Sequence, residues 1–407
     1  LPNRGTIMSA EKPMTMGRRW LIFFTVFCVG VFAGFNMFKA PPLFVALMPE
    51  LGFTENNIGW VMSMFSIIGV ILAFPAGGIL KKLGIKTCLL ITAASVAIGS
   101  AVGAVATSAG MLLATRFIEG IGLGLISVVG PAAVTTIIPP QKQGFAMGIW
   151  TVWFPFAIVV ALNVSPAIFA LGGWRVVWWV GAALSLISFL MTLFFYKQPP
   201  QEEPVAAADG GEMPALDLKP DYRSLILGTL AFGCWNIFFG GAIASFYPTF
   251  LAQVHGMDVQ FAGTASSITN ILVLALGPIS GIISDKLHTR KWLMVFALAG
   301  AAVMLTFAFG DNLTMVWVYL IVMSVFAAAM PTGTFSLVPR VMKDPEKIGF
   351  GMAVLAFFQN IGIVIGPIIF GALSASVGWQ MASMTFLLPA AIVGLILTLF
   401  IREERSA

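Results

Sequence analysis

Three ionisable residues stand where the chain is otherwise apolar, and their spacing suits the capture of an anion. Lys39 lies deep in the run WLIFFTVFCVGVFAGFNMFKAPPLFVALM, one helical turn after Asn36 and just before Pro41 and Pro42. An ammonium group in mid-membrane costs ~2.5–3.5 kcal/mol on insertion scales unless it meets water, a partner or a substrate. The prolines interrupt the helical hydrogen-bond ladder just beyond it, which is tolerated where a helix lines a cavity. The competing reading is a helix that ends near Phe38, with the lysine reaching to the outer surface. Arg116 and Glu119 share one helical face in RFIEGIGLG. They form either an internal ion pair, packed by Gly120, Gly122 and Gly124, or an anion-binding arginine beside a proton-exchanging carboxylate. Burial favours the protonated carboxyl and the arginine favours the charged one, so the two influences oppose.

The rest of the expected substrate site is uncharged. It comprises Asn236, Asn270, Gln359 and Asn360 from the second half of the chain, with Tyr247, Trp150 and Trp153 as aromatic walls. Amides within a membrane often bond only to neighbouring helices, worth ~0.6 kcal/mol each, so packing is the competing role for each of them. His255 and His288 fall in separate loops, and the sequence holds no metal-ligand cluster, phosphate-cradling glycine loop or nucleophile–base pair. No cofactor, metal or enzymatic activity is expected.

These residues have to be positioned by membrane spans. Apolar residues make up 59% of the 407 and charged residues 10%, against roughly 25% charged in soluble domains. Dividing the chain at apolar stretches of ~20 residues, the length that crosses a bilayer core, gives spans near 19–47, 57–80, 86–107, 111–139, 144–169, 175–196, 223–250, 259–284, 291–309, 313–339, 348–373 and 379–401. Of the 22 lysines and arginines, all but Lys39, Arg116 and Arg175 then fall on one side, while Glu50, Glu55, Asp258 and Asp311 lie in the opposite loops. The positive-inside rule makes the basic side cytoplasmic, with both termini there. The net charge of +5 is thus a topology signal facing anionic headgroups, with no nucleic-acid partner expected. Cys28, Cys88 and Cys234 lie within spans and imply no disulfide framework. Arg18 and Arg19 lead straight into a long apolar run, the pattern of a signal anchor.

The expected organisation is a cytoplasmic segment 1–18, a six-helix bundle 19–196, a polar proline- and acid-rich linker 197–222, a second bundle 223–401 and a tail 402–407. The two bundles overlay as a duplication. GFNMF at Gly34 matches CWNIF at Cys234, GPAAVTTIIPP at Gly130 matches MPTGTFSLVPR at Met330, and GGWR at Gly172 matches VGWQ at Val377. GGILKKLGIK at Gly77 and GIISDKLHTRK at Gly281 repeat one loop device, with Lys81 in the first copy where the second has Asp285.

At these residues the chain resembles the major facilitator superfamily over nearly its whole length. The two loops resemble its G-x-x-x-D-R-x-G-R-K motif, and Arg116 with the glycines after it resembles its span 4 motif R-x-x-x-G-x-G. GIVIGPIIFG at Gly362 resembles its G-x-x-x-G-P pattern, in span 11 rather than in span 5 where drug/proton antiporters carry it. NMFKAPP and the acid-free first loop resemble cyanate-type and other anion carriers within the superfamily. The resemblance implies an all-α membrane protein of twelve helices in two pseudo-symmetric bundles, with spans 1 and 7 lining a central cavity. It implies a carrier of the bacterial inner membrane working by alternating access, expected as a monomer. The expected cargo is a small anion, an organic carboxylate or a compact inorganic ion, held by Lys39, Arg116, Asn36 and Asn236. Proton symport through Glu119 is the expected coupling, and Gly77, Gly84, Gly281, Asp285 and Arg290 form the expected cytoplasmic gating motif. The rival readings are a proton-driven exporter of drugs or lipophilic cations and a non-transporting sensor.

Overall fold

The computed structural model describes residues 14–197, 219–287 and 289–402, and every regular element among them is helical. Nine of these helices are long and apolar enough to cross a membrane, and Trp60–Leu72 and Lys291–Leu305 are shorter apolar helices. One of the nine, Pro140–Phe195, has 56 residues, more than twice the ~20 that a crossing needs. It turns at Gly172 and Gly173, the latter at φ 78°, so it holds spans 5 and 6. The helices are in this way consistent with the twelve crossings that the sequence suggests. Most of the expected linker, residues 198–218, lies outside the described residues.

The duplication shows in the backbone. Gly173 and Gly378 both take positive φ between the paired spans 5–6 and 11–12, and Gly52 and Gly256 both do so at the C-terminal ends of spans 1 and 7. These are left-handed turns that a side chain would strain, so the glycines mark equivalent breaks 204 and 205 positions apart.

Span 1 differs from the single helix 19–47 that the hydropathy suggests. The helix Met16–Phe38 stops, a short 3-10 turn covers Pro41–Leu43, and a new helix runs Phe44–Leu51. Pro41 and Pro42 cause the break, because neither has an N–H to donate to the carbonyl four residues back. Span 2 likewise pauses between Leu72 and Pro75, and the chain turns into span 3 at Gly84, φ 76°.

Each bundle packs around large side chains. In the first, Trp150 and Trp153 of span 5 fill the hollows left by Gly30 and Gly34 on span 1, and Trp150 also covers Gly130 on span 4. In the second, Tyr247, Phe250, Phe309, Tyr319, Phe370 and Trp379 form a continuous ring cluster. On the side that the charge distribution assigns as outer, the halves meet through Phe44 and Phe246, with ring centroids 5.6 Å apart. Ser63 there donates to the Val364 carbonyl at 2.7 Å, and Asn163 bonds to span 8.

Candidate functional site

The break in span 1 lies at the centre of the candidate site. Asn36 and Met37 sit in the last turn of the helix, where carbonyl groups lack helical donors and carry partial negative charge. Pro41 stands four residues after Met37 and cannot satisfy it. Arg116 of span 4 takes over: its Nη1 donates to the Asn36 carbonyl at 2.7 Å and its Nη2 to that of Met37 at 2.8 Å. Its Nε donates to the Val61 carbonyl of span 2 at 3.1 Å, and the guanidinium lies 4.4 Å from the Phe65 ring centroid. One arginine thereby fastens span 4 to the end of span 1 and the start of span 2.

Glu119 joins the two cations. Oε2 accepts from Arg116 Nη1 at 2.5 Å, and Oε1 accepts from Lys39 Nζ at 2.9 Å. Lys39 also donates to Asn36 Oδ1 and to Ser100 Oγ, both at 2.6 Å, with its ammonium 4.6 Å from the Trp178 ring centroid. Those contacts use all three ammonium donors. Ser100 passes the chain on to the Trp178 carbonyl at 2.7 Å, and Asn36 Nδ2 reaches the Gly181 carbonyl and Ser185 Oγ on span 6. Lys39, Arg116 and Glu119 are wholly buried, so the lysine does not reach the surface. The cluster carries two positive charges against one negative within a low-dielectric interior. Charges held there need partners and hydrogen bonds: the two cations share the Glu119 carboxylate, and amide, hydroxyl and main-chain oxygens accept most of their other donors.

The uncharged residues divide between packing and open positions. Trp153 is engaged against span 1, and Tyr247 is buried in the second-half ring cluster, its hydroxyl without a partner among the described residues. Among the described residues Asn236 donates only to the Phe232 carbonyl of its own helix, at 2.8 Å, just before a π-helical stretch Ile237–Ile243. That stretch packs on Gly362 and Gly366, the span 11 glycines of the GIVIGP segment. Asn360 donates to its own helix at Ala356, and its amide lies against Gly69 of span 2. Asn270 and Gln359 are half-buried and make no side-chain hydrogen bond among the described residues.

The expected gating motif is partly visible. Gly84 forms the turn between spans 2 and 3, while Gly77 and Gly281 have open space beside them. Arg290 is buried and bonds Ser284 Oγ. The Asp285 side chain and His288 lie outside the described residues.

Sequence reasoning missed Ser100, Ser185 and Trp178, which complete the Lys39 environment, and Asn163 at the junction of spans 5 and 8. Asn163 was legible as an amide inside a span. The two serines carried no signal, since a hydroxyl in a membrane helix ordinarily bonds its own backbone.

The model of the Major Facilitator Superfamily matches residues 26–287 and 225–407. The chain belongs to the major facilitator superfamily. Within it, the sequence is 25% identical over 331 residues to the "Probable nitrate transporter NarT" of Staphylococcus aureus (strain JH9), covering 81% of this chain and 82% of that protein. It is 24% identical over the same length to the protein of that name in strain bovine RF122 / ET3-1. Two crystal structures share the fold. A bacterial homologue of the human lysosomal transporter Spinster, inward-facing and unoccupied, superposes with TM-score 0.80 at 15% identity over 97% of this chain and all of that one. A D-xylose–proton symporter gives 0.75 at 16% identity, covering 94% of this chain and 97% of its own. This superfamily member is therefore a multi-pass membrane transporter and not an enzyme.

Proposed function

We propose that this carrier moves a compact inorganic anion of the nitrate type by alternating access, coupled to protons. The observation that carries the reading is the buried cluster of Lys39, Arg116 and Glu119, two cations sharing one carboxylate at the break in span 1. The likeness to probable nitrate transporters supports an inorganic anion over an organic carboxylate.

The cluster suggests how the coupling works. With Glu119 ionised, the Lys39 donors are all occupied and no anion can bind there. A proton on Glu119 weakens its hold on both cations and leaves two positive charges in need of a counter-ion. An anion and a proton then favour each other's binding, and by linkage the effect is reciprocal. Asn36 and Arg116 would position the anion from the first half, with the open amides of Asn270 and Gln359 meeting it from the second. Asn236, Asn360, Trp153 and Tyr247 shape the walls around those contacts. The gating motif Gly77, Gly84, Gly281, Asp285 and Arg290 is assigned to the cytoplasmic face. Both termini are placed on that face of a bacterial plasma membrane, and a monomer is the proposed unit.

The test is uptake of nitrate, nitrite, cyanate and formate into proteoliposomes, with imposed pH gradients and membrane potentials. Lys39→Ala should abolish uptake while the protein still elutes as a monodisperse species. Glu119→Gln should retain anion exchange and lose accumulation driven by the pH gradient. Near-normal uptake by Lys39→Ala would sink the anion site, and uptake indifferent to both gradients would remove the proton.

A further inference from the structure

We infer that the outer face of the second bundle carries a binding site for an external organic cation, a guanidinium or ammonium borne on a short apolar group. The inference stands apart from the transported anion and from the proton.

The two bundles finish their outer ends differently. In the first, the Glu50 carboxylate accepts from Trp174 Nε1 and Arg175 Nη1, each at 2.8 Å. The Arg175 guanidinium lies 4.4 Å from the Trp174 ring centroid, and its Nη2 donates to the Ala106 carbonyl at 3.3 Å. One side-chain cation thus ties the end of span 1 to the turn between spans 5 and 6 and to the loop before span 4.

The duplication locates the same positions in the second half. Trp379 and Gln380 match Trp174 and Arg175, and Val254 matches Glu50 by way of the turn glycines Gly256 and Gly52. Gly310 matches Ala106, since each stands two residues before the side chain that caps the next span, Asn312 or Ser108. The tryptophan is kept and the ion pair is not. In its place Val254, Asp311, Trp379 and Gln380 line a hollow of about 430 Å³, together with the buried rings of Phe250 and Phe309.

The chemistry of that hollow selects a cation. Asp311 is exposed and, like Gln380, makes no side-chain hydrogen bond or ion pair among the described residues. No cationic side chain lines the hollow to compete for the carboxylate. The Gln380 amide nitrogen lies 3.9 Å from where a Cβ on Gly310 would stand, so this shorter side chain points along the course that Arg175 takes toward Ala106. The loop is held to span 7 by His255 instead, whose Nε2 lies 3.3 Å from the Gly310 carbonyl. A carboxylate beside an aromatic wall attracts a cation through both charge and ring quadrupole. Guanidinium suits it best, because it bonds a carboxylate through its edge while its plane rests on a ring, as Arg175 does with Glu50 and Trp174. Val377 and Met381, both about half exposed at the rim, receive the apolar part of the molecule. The ligand completes in the second bundle the tie that the first makes for itself.

The test uses the full-length carrier in phosphatidylcholine nanodiscs, labelled with 5-fluorotryptophan and titrated with benzylguanidinium. The fluorine signal of Trp379, assigned through Trp379→Phe, should shift saturably, and neutral benzyl alcohol should not move it. Asp311→Asn should weaken binding about fivefold, the weight of an exposed charge pair. Gln380→Arg should abolish binding, because its own guanidinium takes the probe's position, and should raise the melting temperature. Adding Asp311→Asn to it should cancel that rise. An unmoved Trp379 signal, or an unchanged affinity in Asp311→Asn, would overturn the site. Binding lost in phosphatidylethanolamine nanodiscs would give the hollow to the lipid headgroup and overturn a soluble ligand. Monodisperse elution and an unchanged Trp174 signal separate these results from misfolding. A failed anion assay leaves the readout untouched, since no transport enters it.

Discussion

In the first half, Lys39, Glu119 and Arg116 bind one another among hydroxyls, carbonyls and an amide. At the matching positions of the second half, 200 residues on, the chain places Phe239, Tyr319 and Val316. There the interior is a cluster of rings, and the Tyr247 and Tyr319 hydroxyls have no partner among the described residues. The helical frame is shared and the filling is opposite. A charge cluster changes with protonation, whereas ring packing, though it has preferred geometries, does not depend on a charged partner. Duplication supplied two equal scaffolds, and only one of them became responsive to charge. The other offers that half a stable surface to move against.

This contrast can be broken most sharply at Glu119. Glu119→Ala leaves Lys39 and Arg116 buried without their counter-charge, so thermal unfolding in detergent should show a loss of ~3–5 kcal/mol. Tyr319→Phe, at the matching position, removes only an unpartnered hydroxyl and should fall within about 1 kcal/mol of the parent. Equal stability of the two variants would erase the distinction. Gly181→Ala comes next. Its methyl would strike Asn36 Oδ1 and crowd Ser100 and Lys39, and overpacking of that kind costs ~1–3 kcal/mol. Gly394→Ala in the second half should lose less, because its methyl would meet the Cys234 and Leu298 side chains at a more tolerable 3.2 Å.

A double-mutant cycle sharpens the comparison further. Lys39→Met with Glu119→Gln should show a coupling of ~0.5–3 kcal/mol, as contacting charged groups do. Tyr247→Phe with Tyr319→Phe should couple near zero, and a large value there would mean the ring cluster hides a polar network. The smallest effect belongs to the exposed pair of Glu50 and Arg175, 2.8 Å apart with both side chains about half exposed. Glu50→Gln should cost at most ~1 kcal/mol, and less at high salt.

The scaffold was legible because hydropathy, basic-residue placement and repeat spacing are properties of the sequence alone. The pairing of Arg116 with Glu119 followed from helical spacing. The approach of Lys39 to Glu119 did not, since it depends on how spans 1 and 4 pack. Pro41 and Pro42 were read as cavity markers, whereas in the fold they also free the carbonyls that Arg116 caps. That consequence needs the arginine's position in space, and spacing along the chain does not supply it. Trp153, expected as a wall of the site, also packs on Gly30 and Gly34, a contact that depends on how spans 1 and 5 lie together.

The partners of Lys39 also set an order of assembly. Ser100 and Glu119 lie 61 and 80 residues downstream of it, and the span 6 groups that hold Asn36 lie 145 and more residues beyond that asparagine. A nascent chain reaches the membrane with its first span carrying a bare ammonium, and the compensating groups have yet to be synthesised. Span 1 must therefore wait, sheltered by the insertion machinery or sliding toward an interface, until span 4 arrives and span 6 closes over it. Chains arrested before Glu119 should leave span 1 extractable by alkaline carbonate, and chains arrested after span 6 should not. The first bundle is sealed from its far end, so its opening helix is the last to become secure.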